Sequence, residues 1–202
     1  MRVGVLASGE GSNLQAVLDR LHRREGIEVV AVGSDKPHAR ALDRGRAAGV
    51  PVRAFPLAEH SDRRARDLAI ADWLDDFRVE LVLLAGYMQL VDPGFLARFP
   101  LRVINVHPAL LPAFPGIGAV EQAVAYGVKV FGVTVHFVDE GVDSGPIIAQ
   151  RAIELPDATD PAAVRDALRP LEHELVCAVV RLIARGAVRV APDAPRRVVV
   201  HP

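Results

Sequence analysis

Short, continuous apolar stretches alternate with segments of helical spacing along the first half of the chain. A run such as ELVLLA is typical of a strand that is buried on both faces, whereas apolar residues recurring every three or four positions indicate an amphipathic helix. Strands that alternate with helices imply right-handed crossovers and a mostly parallel sheet. The pattern predicts strands at residues 2–7, 29–33, 51–55, 80–85 and 102–106, and helices from residue 12 and at residues 39–48, 63–77 and 93–99.

The pattern changes after about residue 128, where two strand-like runs, VFGVTVHFVDE and PIIAQRAIEL, flank the turn-rich EGVDSG. This arrangement predicts an antiparallel hairpin, and a helix is expected at residues 161–184. We therefore predict an α/β protein with a doubly wound, mostly parallel sheet, helices on both faces and an antiparallel hairpin in the C-terminal part. A single domain is expected over residues 1–186. The tail at residues 187–202 is expected to be partly disordered or to form an edge strand.

The composition is that of a soluble globular protein, with 50% hydrophobic and 24% charged residues in a chain of 202 residues. The formal net charge of -1 gives no general attraction to nucleic acid or to an anionic membrane, so small molecules are the expected partners. No apolar stretch is long enough to span a bilayer, and the N-terminus lacks the apolar core of a signal peptide. We expect a cytoplasmic protein that is a monomer or a homodimer.

Three loops follow strand ends of the predicted sheet, at residues 8–13, 86–91 and 105–116. Ligands of doubly wound sheets bind beyond the carboxyl ends of the strands. In the first loop, SGEGSN, glycines let the backbone approach a ligand, and the start of the next helix directs N–H groups toward an anion. Neither a Walker pattern nor the third glycine of a dinucleotide loop is present. A single phosphate group fits this loop best, with simple capping of the helix by Ser12 or Asn13 as the alternative.

Asn105 and His107 stand at a predicted strand end in the sequence INVHP. Alternate strand residues face the same side, so both side chains can serve one pocket while Val106 packs on the other face. An imidazole exchanges protons near neutral pH, and an amide stabilises an oxygen that becomes negative when a carbonyl is attacked. The pair suits acyl transfer. Two polar groups that merely hydrogen-bond the loop are the alternative.

Asp143 lies in the glycine-flanked turn GVDSG of the predicted hairpin. If the hairpin brings it beside His107, its carboxylate favours the charged imidazolium. An ordinary turn aspartate is the alternative, and the spacing does not decide between the two. His136 is expected to be a hydrogen-bonded sheet histidine. No histidine has a partner at metal-ligand spacing, so no metal is expected.

These motifs occur in the order found in the folate-dependent formyltransferases, which the chain resembles over about residues 1–186. The resemblance rests on SGEGSN, LAGYMQLV, INVHPALLPAFPG and VTVHFVDEGVDSGPII, and on Glu172 and His173 in the last predicted helix. It implies a Rossmann-like transferase of purine biosynthesis. The implied reaction transfers the formyl group of the co-substrate 10-formyltetrahydrofolate to the amine of glycinamide ribonucleotide, by direct attack through a tetrahedral intermediate.

The resemblance also implies roles for particular residues. Asn105, His107 and Asp143 match the catalytic residues of the family: the amide and the protonated imidazole stabilise the oxyanion, and the carboxylate maintains the imidazolium. The substrate-binding residues that the resemblance implies are Gly11, Ser12 and Asn13 for the phosphate, Glu172 for the ribonucleotide, and Arg63, Met88, Gln89, Leu90 and Val91 for the folate.

Other functions are weighed against this one. A formyltetrahydrofolate hydrolase shares the core motifs, although such enzymes usually carry an N-terminal regulatory domain and here the first strand opens at Met1. A methionyl-tRNA formyltransferase would need a further C-terminal domain and a basic surface for RNA. A nucleotide-binding relative without turnover would be expected to lack Asn105 or His107. The chain departs from the family at Ala113 and residues 117–120, which leaves its substrate affinity open.

Overall fold

The computed structural model describes residues 1–201 and divides into two compact units. The first unit is Met1–Asn105, and the second begins at Val106. The fold is a mostly parallel sheet with helices on both faces and antiparallel hairpins in the C-terminal part, which confirms the predicted fold class. The expected single domain over residues 1–186 stays a prediction.

The strands of the first unit are parallel, and they are β1 (Arg2–Leu6), β2 (Glu28–Ser34), β3 (Val52–Ala54), β4 (Leu81–Leu84) and the start of β5 (Val103–His107). The last two residues of β5, Val106 and His107, belong to the second unit. They follow the order β3-β2-β1-β4-β5. The middle strands β1 and β4 carry buried apolar side chains on both faces, such as Val3 and Val82. Burial on both faces is the reason why the sequence shows continuous apolar runs at these strands.

The helices of the first unit are α1 (Ser12–Leu21), α2 (Arg40–Ala47), α3 (Arg63–Asp76) and α4 (Pro93–Arg98), with a 3-10 turn at Leu57–Glu59. Asp62 precedes α3, and its side chain accepts a hydrogen bond from the N–H of Ala65 at 2.8 Å. Asp92 precedes α4 and accepts from the N–H of Gly94, also at 2.8 Å. These caps satisfy N–H groups that the first turn of a helix leaves without partners.

The loops after β1 and β4 contact each other, because these two strands are neighbours. The N–H of Ser8 donates to the carbonyl oxygen of Gly86 at 3.1 Å, and the hydroxyl oxygen of Ser8 accepts from the N–H of Met88 at 2.8 Å. The carboxyl ends of the strands therefore bring the SGEGSN loop and residues 88–91 to the same edge of the first unit. This is the edge where ligands of doubly wound sheets bind.

The second unit contains the helices α5 (Ala119–Tyr126) and α6 (Pro161–Ala184) and the strands β6 (Val130–Phe137), β7 (Ile147–Glu154), β8 (Val188–Ala191) and β9 (Ala194–Val200). β6 and β7 form the predicted antiparallel hairpin, and β8 and β9 form a second one. β9 also pairs with β7 in parallel at Ile147 and Arg197. Nearby, the guanidinium of Arg196 donates to the carbonyl oxygen of Ser144 at 2.8 Å. The tail hairpin thus contacts the turn between β6 and β7.

Two elements of the second unit differ from the sequence-based expectation. Helix α5 was not predicted, because it is short and lies between Gly118 and Gly127, whose left-handed φ angles of 75° and 83° are typical of loops. For the tail, an edge strand was one of two alternatives, and the structure shows a hairpin. In its register, the valines of β8 lie opposite the valines of β9, as Val190 does opposite Val198.

Candidate active site

His107 is the last residue of β5 and belongs to the second unit, and both nitrogens of its buried ring face oxygen atoms of that unit. Nε2 lies 2.8 Å from the carbonyl oxygen of Phe114, and Nδ1 lies 3.3 Å from Oδ2 of Asp143. A carbonyl oxygen only accepts hydrogen bonds, so Nε2 carries a hydrogen. Nδ1 faces the carboxylate of Asp143, so both ring nitrogens of His107 have an oxygen partner.

Asp143 lies in the turn between β6 and β7 with a left-handed φ of 49°. This conformation is uncommon for residues other than glycine and marks a position where the surroundings impose the geometry. One restraint is the hydroxyl of Ser144, which donates to Oδ1 of Asp139 at 2.6 Å. Another is Gly145, where a β-carbon would lie only 1.8 Å from the carbonyl oxygen of Phe137. The turn therefore requires glycine at residue 145 to hold Asp143 in place.

Three groups converge on the carboxylate of Asp143. Oδ2 faces His107 and accepts the N–H of Gly116 at 2.7 Å, while Oδ1 lies 3.4 Å from Nε2 of His136. Partial burial favours the neutral acid, but the hydrogen bonds from His136 and Gly116 and the positive charges of the two imidazoles outweigh it. The pKa of Asp143 falls from 3.8 to about 2 as a result. Asp143 is therefore ionised at neutral pH.

His136 is hydrogen-bonded within its strand, as expected, because its Nδ1 lies 2.8 Å from the carbonyl oxygen of Phe137. Its contact with Asp143 was not predicted. A signal for it exists in the sequence, since Thr134 and His136 are polar residues two positions apart in an otherwise apolar strand. Asn105 and His107 in INVHP show the same spacing of two polar residues in an apolar strand. The carboxylate of Asp143 consequently lies between two imidazoles.

Asn105 is the last residue of the first unit and precedes His107 by two positions on β5. Side chains two positions apart leave a strand on the same face, so the amide and the imidazole point to the same side of β5. Asn105 is partly exposed and lies in register with Leu84 of β4. The catalytic roles of Asn105, His107 and Asp143 stay predictions.

The SGEGSN loop of the first unit leads into α1 through Gly11, which has a φ of 72°. A β-carbon on Gly11 would lie 2.8 Å from a side-chain atom of α2, so the loop passes directly against that helix. Arg44 of α2 holds the loop, because Nε donates to the carbonyl oxygen of Glu10 at 2.8 Å and Nη2 donates to its carboxylate at 2.9 Å. The first turn of α1, with Ser12 and Asn13, thus has a fixed position in which its N–H groups suit a phosphate.

Residues 88–91, which the resemblance assigns to the folate, lie in the loop between β4 and α4. Met88 and Leu90 are 58% and 53% exposed, whereas the side chain of Gln89 turns toward the protein. Arg63 is exposed at the first residue of α3. Exposed apolar side chains beside polar backbone are typical of the lining of a small-molecule site. The folate-binding roles stay predictions.

Sequence reasoning missed a buried ion pair in the first unit. Arg66 and Asp67 are each 1% exposed, and Nη2 of Arg66 lies 2.8 Å from Oδ1 of Asp67. Charged residues are rarely buried to this extent unless they are paired. Helical spacing could have revealed the pair, because Arg66 precedes the buried Ile70 and Leu74 at intervals of four residues.

Among the predicted site residues, the structure brings His107 and Asp143 into contact within the second unit. Glu172 is partly exposed on α6, two residues after Pro170. Within residues 1–201, no three His, Cys, Asp or Glu side chains are grouped so that they could hold a metal ion. In the same part of the chain, no helix combines the length and the apolar character that crossing a bilayer requires.

Glycine loops that lead into a helix and paired histidine and aspartate side chains are both typical of enzymes that act on small molecules. Comparison with known families is more specific: residues 1–180 match the family described as formyl transferase. The chain belongs to the formyl transferase family, and it is a formyl-transferring enzyme.

Its relatives resemble it over nearly the whole chain. Phosphoribosylglycinamide formyltransferase of Bacillus subtilis is 41% identical over 181 residues, which cover 89% of this chain and 93% of that protein. The protein of the same name from Mycobacterium tuberculosis is 44% identical over 189 residues, which cover 94% of this chain and 87% of that one. A solved structure, glycinamide ribonucleotide transformylase 1 from Symbiobacterium toebii, matches with a TM-score of 0.94 at 44% identity and covers 100% of this chain and 94% of that chain.

Proposed function

We propose that the protein transfers the formyl group of 10-formyltetrahydrofolate to the amine of glycinamide ribonucleotide, a step of de novo purine biosynthesis. The observation that carries this proposal is the 3.3 Å contact between His107 and Asp143, found in a chain whose relatives are named phosphoribosylglycinamide formyltransferases. Formyl transfer creates an oxyanion and moves one proton. A buried imidazole beside a carboxylate can serve both needs.

In the proposed reaction, the lone pair of the substrate amine attacks the formyl carbon of the folate. A carbon–nitrogen bond forms while the carbonyl π electrons move onto oxygen, which gives a tetrahedral oxyanion. The carbonyl then re-forms as the bond between the formyl carbon and folate N10 breaks. The attacking amine loses one proton and N10 gains one, so the reaction balances without an oxidant or a reductant.

Each residue of the site has a separate role in this reaction. Asn105 donates a hydrogen bond to the oxyanion, and protonated His107 supplies positive charge. The proton passes from the amine to N10 through His107 or an ordered water. Asp143 maintains the imidazolium, and its pKa of about 2 supports this role because the carboxylate stays negative across the pH range of the reaction. His136, on the other carboxylate oxygen, helps to orient Asp143.

The two substrates are held by separate groups. We assign the phosphate of the ribonucleotide to the start of α1, where N–H groups and the helix dipole favour an anion. The exposed apolar side chains of residues 88–91 support the assignment of the folate to that loop. The proposed binding residues are Gly11, Ser12 and Asn13 for the phosphate, Glu172 for the ribonucleotide, and Arg63, Met88, Gln89, Leu90 and Val91 for the folate.

The remaining proposals concern partners and location. 10-Formyltetrahydrofolate acts as a co-substrate, and we propose neither a metal nor a nucleic-acid or membrane partner. A net charge of -1 supports the preference for small molecules. We also propose a cytoplasmic location and either a monomer or a homodimer.

The test incubates purified protein with glycinamide ribonucleotide and 10-formyltetrahydrofolate and identifies the products by mass spectrometry. We expect the ribonucleotide to gain one formyl group and the folate to lose one. Free formate without a formylated ribonucleotide would identify a formyltetrahydrofolate hydrolase instead. Binding of ribonucleotide with no change in either substrate would identify a binding protein without turnover. Either of these two results contradicts the proposed transfer.

A further inference from the structure

Both ends of the loop at residues 88–91 are attached to buried groups. The N–H of Met88 donates to the hydroxyl oxygen of Ser8, and the N–H of Asp92 donates to Oδ2 of Asp67, each at 2.8 Å. Ser8 is 3% and Asp67 1% exposed, so water hardly competes for either acceptor. Hydrogen bonds to buried, pre-oriented acceptors restrict a loop more firmly than bonds at the surface.

Gln89 forms a third attachment, through its side chain. Its Oε1 accepts a hydrogen bond from Nη1 of Arg66 at 3.0 Å, and its Nε2 donates to Oδ2 of Asp35 at 3.1 Å. The neighbouring side chains of Met88 and Leu90 point into solvent. The amide of Gln89 therefore makes two hydrogen bonds inside the protein: its oxygen accepts one and its nitrogen donates the other.

The buried ion pair of α3 connects these attachments. Nε and Nη2 of Arg66 lie 2.9 and 2.8 Å from Oδ1 of Asp67. Arg66 then holds Gln89, and Asp67 holds Asp92, so two adjacent residues of one helix fix both sides of Leu90 and Val91. A buried ion pair is weak evidence for stability, because apolar residues of similar volume often stabilise a protein as well. Holding a loop in one geometry is a role that an apolar pair cannot perform.

The residues between the attachments have backbone groups available to a ligand. Among residues 1–201, no group donates a hydrogen bond to, or accepts one from, the backbone of Leu90 or Val91. Most backbone N–H and C=O groups that leave water need a hydrogen-bond partner. A flat heterocycle with donors and acceptors along one edge, such as a pterin, can supply partners for two consecutive peptide groups.

We propose that Arg66, Asp67 and Gln89 are positioning residues, which fix the backbone of Leu90 and Val91 for hydrogen bonding to the folate ring. The proposal rests on the proposed function. The side chain of Gln89 would then not contact the folate. It would hold the loop in place, and the loop backbone would bind the co-substrate.

Gln89→Leu tests this role, because leucine has a similar volume but makes neither of the two hydrogen bonds. The KM for 10-formyltetrahydrofolate should rise about tenfold, since the loop loses its central attachment and must be ordered by the ligand. The KM for the ribonucleotide should stay within about twofold of the wild-type value, because that substrate is assigned to other residues. Steady-state kinetics with each substrate varied in turn gives both constants.

A rescue experiment separates positioning from general damage to the fold. Gln89→Glu keeps an acceptor for Arg66 but places a second carboxylate beside Asp35, and like charges at this distance repel. The KM for folate should rise in this variant as well. Adding Asp35→Asn supplies an amide donor to the new carboxylate and should return the KM to within about threefold of wild type. Asp35→Asn alone is the matched control and should behave like wild type, because its amide oxygen still accepts from Gln89.

The outcomes distinguish this proposal from the proposed function. Wild-type protein that forms no formylated ribonucleotide contradicts the proposed function. Active wild-type protein with an unchanged folate KM in Gln89→Leu contradicts the positioning role alone, as does a parallel rise of both KM values. If Gln89→Leu does not fold, the Gln89→Glu variant with and without Asp35→Asn decides, and a failure of rescue overturns the proposal.

Discussion

Each unit of the protein contains a carboxylate with nitrogen partners, fully buried at Asp67 and partly buried at Asp143, but the chemistry of the partners differs. Asp67 in the first unit faces the guanidinium of Arg66 at 2.8 Å, whereas Asp143 in the second unit lies between the imidazoles of His107 and His136 at 3.3 and 3.4 Å. A guanidinium stays charged at every pH that a folded protein tolerates, while an imidazole gains and loses its proton near neutrality. The first pair can therefore hold geometry, and only the second cluster can also exchange a proton.

The backbone conformation also differs between Asp67 and Asp143. Asp67 lies inside α3, where helical hydrogen bonds fix the chain. Asp143 has a φ of 49° in a turn that requires glycine at residue 145. A carboxylate on a helix is positioned by regular structure, whereas one in a left-handed turn depends on a few specific contacts. We expect damage at Asp67 to appear mainly in stability and damage around Asp143 mainly in catalysis and pH dependence.

The largest effect is expected for Asp67→Ala. This change leaves the buried guanidinium of Arg66 without its ion-pair partner and should lower the free energy of unfolding by about 3–5 kcal/mol. Urea unfolding followed by circular dichroism measures the loss. The matched control is Asp76→Ala at the exposed end of the same helix, which should change stability by less than about 0.5 kcal/mol. If Asp67→Ala lowered the free energy of unfolding no more than the control does, the structural role of the buried Arg66–Asp67 pair would be contradicted.

The next effect is expected at the imidazole of the second unit. His107→Ala should reduce kcat by at least about 10²-fold, because the reaction loses both a charge beside the oxyanion and a proton carrier. The KM for the ribonucleotide should remain within a few-fold of wild type. His201→Ala removes an exposed imidazole from the same unit and serves as the control. Full activity of His107→Ala would remove this residue from the mechanism.

The smallest effect is the acid dependence of stability that Asp143 confers. Its folded pKa of about 2 lies below the ordinary value of 3.8, so ionised Asp143 stabilises the fold above pH 3.8. That contribution, about 2 kcal/mol, is lost as the pH falls from 3.8 through 2. The difference in unfolding free energy between wild type and Asp143→Asn should shrink by this amount between pH 5 and pH 2, as measured by urea unfolding. The exposed control Asp157→Asn should show no such change, and an equal slope in both variants would contradict the assignment.

Periodicity in the sequence predicted most of the regular elements. The five parallel strands and the β6–β7 hairpin were recognised because burial on one or both faces leaves a plain apolar pattern. The helix Pro161–Ala184 was predicted with the bounds that the structure shows, although Pro170 lies within it. The eight residues of α5 were missed, because a helix of about two turns between two glycines provides little periodicity to read.

The candidate site was less accessible to sequence reasoning. Asn105 and His107 could be paired on one strand face from their spacing, because a strand has a fixed period. The contact of Asp143 with His107 joins residues that are far apart in the chain, so the residues alone left an ordinary turn aspartate as an open alternative, and only the resemblance favoured the contact before the structure gave a distance. Arg66 and Asp67 were overlooked because charge usually indicates exposure, even though their helical positions indicated burial.

The contact of the tail with the turn that carries Asp143 bears on how far the chain can be shortened without loss of activity. The family match ends at residue 180, yet Arg196 donates to the carbonyl of Ser144 and β9 pairs with β7 at Ile147. A truncated protein that ends at residue 186 would retain every residue assigned to a substrate. It would nevertheless lose the strand that pairs with β7 beside the Asp143 turn, so we expect this truncation to impair the site without removing any residue assigned to a substrate.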